Sequence, residues 1–230
     1  MNASILKIIA IIAMVVDHVG YIFFPQHLWL RVIGRLTMPL MAFFAVEGFR
    51  HTRNIRKYLF RLLIFAVLSE IPFKLAFGSG SNVIITIFLG VSALYLGDLI
   101  TKKSGIQAFS FLSYIMFGII AELIGSDWSY IGIGFICLFY LAGKSKLKMS
   151  IYISSWYLFI FITIVLEAYF VNGFYNFYTN YVQLAGLLSI PLIYMYNGKL
   201  GPRLKYLFYI SYPGHLIVLY LIREFLIKFF

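Results

Sequence analysis

Nine apolar stretches of 15 to 24 residues follow one another along this chain of 230 residues. A helix that crosses a bilayer needs about 20 consecutive, mostly apolar residues. Pro25, Gly125-Ser126 and Asn172-Gly173 are among the helix breakers that separate the stretches. The pattern predicts an all-α protein, a polytopic transmembrane helix bundle of about nine spans, with residues 1–230 in a single membrane domain; eight or ten spans fit it too. The stretches are Ile5–Phe24, Leu28–Phe49, Tyr58–Phe77, Asn82–Leu99, Gln107–Leu123, Trp128–Ala142, Met149–Phe170, Tyr181–Tyr196 and Tyr206–Phe229.

Composition excludes the soluble and disordered classes. The chain is 62% hydrophobic and 12% charged, whereas soluble domains carry about a quarter charged residues. Disordered chains have few aromatic residues, but 20% of this chain is aromatic. Ile5–Phe24 has no small-residue cleavage site, so we interpret it as the first span rather than as a signal peptide.

The cations fall on one side of the predicted bundle. The loops on that side and the first span hold thirteen of them, whereas the opposite loops hold only Lys74. Because Lys and Arg concentrate in cytoplasmic loops, we expect a cytoplasmic N-terminus in the cytoplasmic (inner) membrane. Topology in a lipid bilayer then explains the net charge of +11, and no nucleic-acid partner is needed. The thirteen are Lys7, Arg50, Arg53, Arg56, Lys57, Lys102, Lys103, Lys144, Lys146, Lys148, Lys199, Arg203 and Lys205.

The sequence lacks the motifs of several common kinds of site: disulfides, zinc sites, phosphate-binding loops and transporter repeats. Cys137 is the single cysteine, so there is no disulfide framework. The four histidines form no zinc-binding pattern, and we expect no metal. The chain also lacks a glycine-rich phosphate loop and the internal repeat that is typical of many transporters.

Seven of the eight acidic residues lie within or at the edge of apolar stretches, and only Asp127 lies clearly in a loop. A carboxylate near the bilayer centre costs about 3 kcal/mol or more, so such residues usually face the bundle interior and are paired. Asp17, Arg35 and Glu70 each lie seven residues from the predicted outer end of a span. At a rise of 1.5 Å per residue, this depth is about 10 Å.

Four further polar residues fall in or near the same layer. His18 adjoins Asp17, Arg31 lies one turn before Arg35, and Asn82 and Thr86 lie slightly closer to the outer surface. We therefore predict a polar site in the outer half of the membrane. His215 follows Pro213 and is expected near the midplane. The alternative interpretation is that these residues are ion pairs that only fix helix register.

Short motifs in a fixed order resemble the TraX family of integral-membrane acetyltransferases, whose namesake acetylates the N-terminus of F-pilin. The resemblance is dense over residues 1–100, thin across 105–195, and returns at 203–216. The motifs are Lys7 to Ala10, Met14 to Gly20, Ile33-Gly34-Arg35 with Met38-Pro39, Glu47 to Asn54 with Lys57-Tyr58, Ser69 to Phe73, Asn82 with Thr86, Lys205 to Tyr209, and Tyr212 to Leu216.

The resemblance implies an acetyltransferase that uses acetyl-CoA as acyl donor. Its acceptor would be an amine, such as the N-terminus of a peptide, a pilin-like protein or another small secreted molecule, or else a hydroxyl. The cations at the end of the second span suit the phosphates of the donor. We expect Arg31, Asn82, Thr86 and Tyr212 to contact the donor as well. The phosphate-binding candidates are Arg50, His51, Arg53, Lys57 and Arg61.

The candidate catalytic residues are His18, Asp17, Arg35, Glu70 and His215. His18 is the first choice of general base because imidazole titrates near neutral pH. Neighbouring helical residues point about 100° apart, so Asp17 is expected to pair with Arg35 or Arg31 rather than with His18. An arginine or Asn82 would stabilise the oxyanion. His215 would be a second base or carry the acetyl group.

Two other classes stay open. A proton-coupled transporter or flippase would use the buried charges as a relay. A scaffold would use them only to hold the helices together.

Overall fold

The computed structural model describes residues 1–172, 181–202 and 205–229. Helices account for most of this part of the chain, which contains no β-strand beyond a single bridge between Ser81 and Ser126. Arg203, one of the cations counted above, lies outside the described residues. The helices are α1 (Ala3–Phe23), α2 (Leu28–Gly34), α3 (Thr37–His51), α4 (Ile55–Phe77), α5 (Val83–Ser104), α6 (Ser110–Leu123), α7 (Ser129–Ala142), α8 (Lys146–Glu167), the short helix Ser189–Tyr194 and the C-terminal helix Lys205–Phe229.

Three irregular helical turns complete the list. A 3₁₀ turn, Gln107–Phe109, precedes α6, and a π-helical turn, Ala168–Asn172, follows α8. A longer 3₁₀ helix, Tyr181–Leu188, leads into the short helix Ser189–Tyr194.

All nine apolar stretches fall on helical segments. Five of the described helical segments are long and apolar enough to cross a membrane, as in a multi-pass membrane protein. Of the rest, α4 is long but holds Arg61, Glu70 and Lys74, and the remaining three are short. Nine spans and a cytoplasmic N-terminus stay predictions. The five are Ala3–Phe23, Leu28–His51, Val83–Ser104, Lys146–Phe170 and Ile210–Phe229.

The second stretch is not one continuous helix. Its helical hydrogen bonding gives way to a turn at Arg35-Leu36, so that α2 ends at Gly34 and α3 begins at Thr37. The break places Arg35 at the end of α2, where its side chain points back beside α1.

The helices form two compact units. The first unit contains Met1–Met41, Lys144–Ser211 and Leu221–Phe230. The second unit contains Ala42–Gly143 and Tyr212–Tyr220. A single membrane domain over residues 1–230 stays a prediction.

In the first unit, α1 packs against α2. Gly20 allows this approach, since a Cβ there would lie 2.6 Å from the Cβ of Leu30. The start of α1 is held by the segment 195–202: the Ala3 amide donates to the Lys199 carbonyl (2.8 Å), and the Ser4 hydroxyl is 2.9 Å from the Leu200 carbonyl. The N-terminal end of α1 therefore lies beside a cationic loop.

In the second unit, α5 is central and packs against α4, α6 and α7. At one end of α5, the Ser81 amide donates to the Gly125 carbonyl (3.0 Å) and the Asp127 amide to the Ser81 carbonyl (2.7 Å). At the other end, Tyr140 of α7 donates to Asp98 of α5 (2.7 Å). Two loops poor in cations thus meet at one end of this unit.

Candidate functional site

A buried carboxylate with two arginines lies between α1 and α2; Asp17, Arg31 and Arg35 are called the arginine cluster below. Nη2 of Arg35 is 2.8 Å from both carboxylate oxygens of Asp17, and Nη1 of Arg31 is 2.8 Å from Oδ2. The side chain of Arg35 is 7% exposed, against 27% for Arg31. Charge-assisted hydrogen bonds of this kind are short and strong. Both oxygens of Asp17 are therefore engaged by guanidinium groups.

The local sequence makes this pairing possible. Arg31 and Arg35 are one turn apart, so both side chains lie on the face of α2 toward Asp17. Gly34 lies directly against Asp17, and a Cβ at this position would overlap the Asp17 carboxyl group. A residue without a side chain is therefore required where the two helices meet.

Gln183 extends the arginine cluster through the 3₁₀ helix Tyr181–Leu188. Its Oε1 accepts a hydrogen bond of 2.9 Å from Nη1 of Arg35. Gly186 on the same 3₁₀ helix lies close to Tyr157 and to the backbone of Arg35, because a Cβ there would be 3.0 Å from the Arg35 carbonyl and would overlap the Tyr157 hydroxyl. The sequence prediction missed Gln183. Its only signal is a polar residue within an apolar stretch.

His18 is buried beside the arginine cluster on α1, with 8% of its surface exposed. Its side chain leaves the helix about 100° away from that of Asp17. The position fits the expectation that Asp17 pairs with arginine rather than with His18.

In the second unit, a carboxylate caps the start of α5; Glu70, Ser81 and Asn82 are called the Glu70 cluster below. Glu70 accepts hydrogen bonds from the Asn82 side-chain amide (2.7 Å), the Asn82 backbone amide (3.3 Å) and the Ser81 hydroxyl (3.1 Å), and Lys74 Nζ lies 3.3 Å away. Negative charge is favourable at a helix N-terminus. The Asn82 side chain also accepts from the Ile84 amide (3.0 Å), which makes it the N-cap of α5.

Thr86 joins α5 to the turn between α6 and α7. Its hydroxyl is 3.0 Å from the Ser126 hydroxyl and also contacts the Asp127 carbonyl. Trp128 and Ser129 follow with φ angles of 64° and 38°, a region that is costly for residues other than glycine. The hydrogen bonds of Thr86 thus stabilise a strained turn next to the Glu70 cluster.

Tyr212 and His215 lie one turn apart on the C-terminal helix and also belong to the second unit. Their ring centroids are 5.6 Å apart with an edge-to-face geometry. Tyr212 is 5% exposed, whereas His215 is partly exposed.

Comparison with known proteins adds a whole-chain match. The family model described as "TraX protein" matches residues 2–223. This chain belongs to the TraX family. The match includes the region 105–195, where the motif resemblance is thin.

Two curated relatives are similar to this TraX member. The probable fimbrial assembly protein FimC, serogroup H1, of Dichelobacter nodosus is 32% identical over 243 residues, which cover 98% of this chain and 97% of the relative. The protein named Uncharacterized protein RP591 of Rickettsia prowazekii (strain Madrid E) is 27% identical over 176 residues, or 73% of this chain and 65% of that protein. No solved structure matches.

The cations predicted to bind phosphate do not share one environment in this TraX chain. Nη2 of Arg50 donates to the carbonyls of Phe139 (3.1 Å) and Tyr140 (2.9 Å), and its Nη1 is 3.4 Å from Glu47. Both carbonyls lie in the last turn of α7, and the Tyr140 carbonyl also accepts from the amide of the C-cap residue Gly143 (3.1 Å). The other four cationic candidates are exposed: His51, Arg53, Lys57 and Arg61.

The sequence predicted one polar layer, and the structure assigns its members to two units. Asp17, His18, Arg31 and Arg35 belong to the first unit, and Glu70, Asn82 and Thr86 belong to the second. Within the first unit the three members of the arginine cluster are in direct contact, and within the second Glu70 contacts Asn82. The described residues contain no group of three His, Cys, Asp or Glu side chains suited to a metal ion.

Proposed function

We propose that this TraX protein is a membrane-embedded acyltransferase that moves an acetyl group from cytoplasmic acetyl-CoA to an amine, with a hydroxyl as the alternative acceptor. The observation that carries the proposal is the family match over residues 2–223. The fimbrial assembly name of the Dichelobacter nodosus relative favours a pilin-like or other secreted peptide acceptor. The buried arginine cluster, with His18 beside it, also supports the proposal, since it is a polar group of residues inside an apolar helical unit.

The proposed topology has about nine spans, a cytoplasmic N-terminus, and a location in the cytoplasmic membrane. Two contacts support a common side for the cationic loops of the first unit. The Ala3 amide bonds to Lys199, and Lys146 Nζ is 2.9 Å from the Tyr194 carbonyl. The start of α1, the start of α8 and the segment 194–200 therefore lie at one end of this unit.

Acetyl-CoA would bind from the cytoplasmic side through its phosphates. Arg53, Lys57 and Arg61 are exposed around the first turns of α4. Guanidinium groups bind phosphate in a bidentate manner and lysine binds it as a point charge. The exposed cations suit this role better than Arg50, whose Nη2 is engaged by the end of α7.

The chemical step joins the acceptor nitrogen to the acetyl carbonyl carbon. The amine attacks the thioester, the C–N bond forms, the C–S bond breaks, and the CoA thiolate leaves. The acceptor α-amine has a pKa of about 8, so a base must remove its proton. His18 is the proposed base, because both oxygens of Asp17 already accept hydrogen bonds from arginines. His215 is the proposed second base or carrier of a transient acetyl group.

The donor and the acceptor are tested together. The purified protein, reconstituted in lipid nanodiscs, is mixed with acetyl-CoA and a synthetic peptide with a free N-terminus, and mass spectrometry follows a gain of about 42 Da. Comparison of secreted peptides and surface glycans from cells with and without the protein identifies the natural acceptor. Acetyl transfer by wild type that is lost in His18→Ala or His215→Ala supports the proposal.

Two results would contradict this proposal. Full transfer in the folded, inserted His18→Ala and His215→Ala variants would remove the base assignment. Absence of acetyl-CoA binding, together with proton-linked flux across liposomes, would favour a transporter or flippase instead.

A further inference from the structure

The Tyr212 hydroxyl is a buried hydrogen-bond donor for which the described residues offer no acceptor. The residue is 5% exposed, and no atom of the described residues accepts a hydrogen bond from its hydroxyl. Buried tyrosine hydroxyls usually find a partner, since an unmade hydrogen bond destabilises the folded protein. An unpaired group of this kind therefore calls for an explanation in function.

The surroundings of the hydroxyl are polar. The Val83 backbone amide, in the first turn of α5, approaches the phenol oxygen. Amides in the first turn of a helix have no acceptor within the helix. The Val83 N–H group can only donate to the phenol oxygen and cannot accept the phenolic proton. This proton is therefore directed away from Val83. Glu70 and Asp127 lie within electrostatic range of the phenol, and the His215 ring packs on the Tyr212 ring.

We propose that Tyr212 is a catalytic residue whose hydroxyl donates a hydrogen bond to the carbonyl oxygen of the acetyl thioester. This inference rests on the proposed acetyl transfer and gives that reaction its oxyanion donor. As the amine nitrogen attacks, the carbonyl oxygen gains negative charge and accepts more strongly from the phenol. When the C–S bond breaks, the charge returns to the carbonyl and the phenol keeps its proton.

A preorganised donor in a site that excludes water is worth more than the same donor in solution. Removal of one such donor from an enzyme typically lowers kcat by about 10²- to 10³-fold. His215, one turn away on the same helix, is the group nearest in sequence that is able to take the proton of the amine.

The test is Tyr212→Phe, which keeps the ring and removes only the hydroxyl. The matched control is Tyr140→Phe in the same unit, because the Tyr140 hydroxyl donates to Asp98 at 2.7 Å. Both variants are purified in detergent, reconstituted, and compared with wild type for melting temperature and for acetyl transfer to the synthetic peptide. We expect Tyr212→Phe to lose transfer by about 100-fold in kcat with a melting temperature close to that of wild type. Tyr140→Phe should show the opposite pattern, with a lower melting temperature and transfer close to wild type.

Each other outcome overturns the inference in a distinct way. Transfer by Tyr212→Phe at the wild-type rate excludes the hydroxyl from the reaction and leaves the proposed function intact. A lower melting temperature in Tyr212→Phe with a proportional loss of activity shows a structural hydroxyl, bonded to water or to the chain. A wild-type protein that transfers no acetyl group removes both the inference and the proposed function.

Discussion

Arg35 binds both carboxylate oxygens of Asp17 through a single nitrogen, Nη2, at 2.8 Å each. Its Nη1 is consequently available to the side chain of Gln183, 2.9 Å away. One guanidinium thus connects α1, the end of α2 and the 3₁₀ helix Tyr181–Leu188 within the first unit. Lysine, with one compact ammonium group, has no geometry that reproduces these contacts.

Arg35→Lys should therefore inactivate the protein and destabilise it by about 1.5–3 kcal/mol, because lysine keeps the charge but loses hydrogen bonds to charged groups. Arg31→Lys should cost less, because the Arg31 side chain is four times as exposed and makes one short contact with the carboxylate. Thermal unfolding of the purified variants in detergent and acetyl transfer in nanodiscs measure both effects. Wild-type stability and activity in Arg35→Lys would support the scaffold interpretation instead.

Gly34→Ala tests the close approach of α2 to Asp17. The added methyl group overlaps the Asp17 carboxyl, so the helices must separate and the arginine cluster loosen. We expect a loss of about 1–3 kcal/mol in the free energy of unfolding, as for other overpacked sites, with reduced acetyl transfer.

The control for Gly34→Ala is Gly118→Ala in α6. Its new Cβ would lie 3.6 Å from the Tyr130 Cβ, an ordinary contact. Alanine favours the helix over glycine by about 0.5–1 kcal/mol, so this variant should be as stable as wild type or more stable. Equal behaviour of the two alanine variants in thermal unfolding would contradict the packing argument.

Depth along a helix is the property of the site that could be predicted from the sequence. The rise per residue is fixed, and α1 and α2 are joined by a short turn, so Asp17 and Arg35 had to lie at a similar level. The prediction that Asp17 pairs with Arg35 or Arg31 is confirmed by the contacts to both. The Glu70 cluster follows from the same short-range logic, since α4 and α5 are consecutive.

The depth of a residue along its own helix does not predict which distant helices contact each other. Gln183 is 148 positions from Arg35, and nothing in its local sequence indicates that contact. The break at Arg35-Leu36 was also missed, because the apolar pattern continues across it. Arg50 was grouped with phosphate-binding cations, since its position at a helix end did not reveal the carbonyls of α7.

Gln183→Met should lower kcat for acetyl transfer by about tenfold while it leaves the KM for acetyl-CoA unchanged. Methionine has a similar length but lacks the acceptor, so Arg35 would lose one hydrogen bond of about 1.5 kcal/mol to a charged group. Gln107→Met, at an exposed position in the turn Gln107–Phe109, is the control. Combination of Gln183→Met with Arg35→Lys should add little further loss in the free energy of unfolding, because the effects of contacting residues are not additive. Fully additive effects in the double variant would show that Gln183 acts independently of Arg35.

Arg50 and the exposed cations of the 50–61 region should respond differently to substitution. Arg50→Gln removes the hydrogen bonds to the Phe139 and Tyr140 carbonyls, so we expect a loss of about 2 kcal/mol in the free energy of unfolding.

The double variant Arg53→Glu/Lys57→Glu reverses two exposed charges and should change the free energy of unfolding by less than about 0.5 kcal/mol. Because these side chains would face the donor phosphates, its KM for acetyl-CoA should rise by about tenfold, as two weakened ion pairs predict. Steady-state transfer at varied acetyl-CoA, with thermal unfolding of each variant, separates the two roles. A raised KM for acetyl-CoA in Arg50→Gln with unchanged stability would contradict the structural role of Arg50. An unchanged KM in the double variant would contradict the donor-binding role of Arg53 and Lys57.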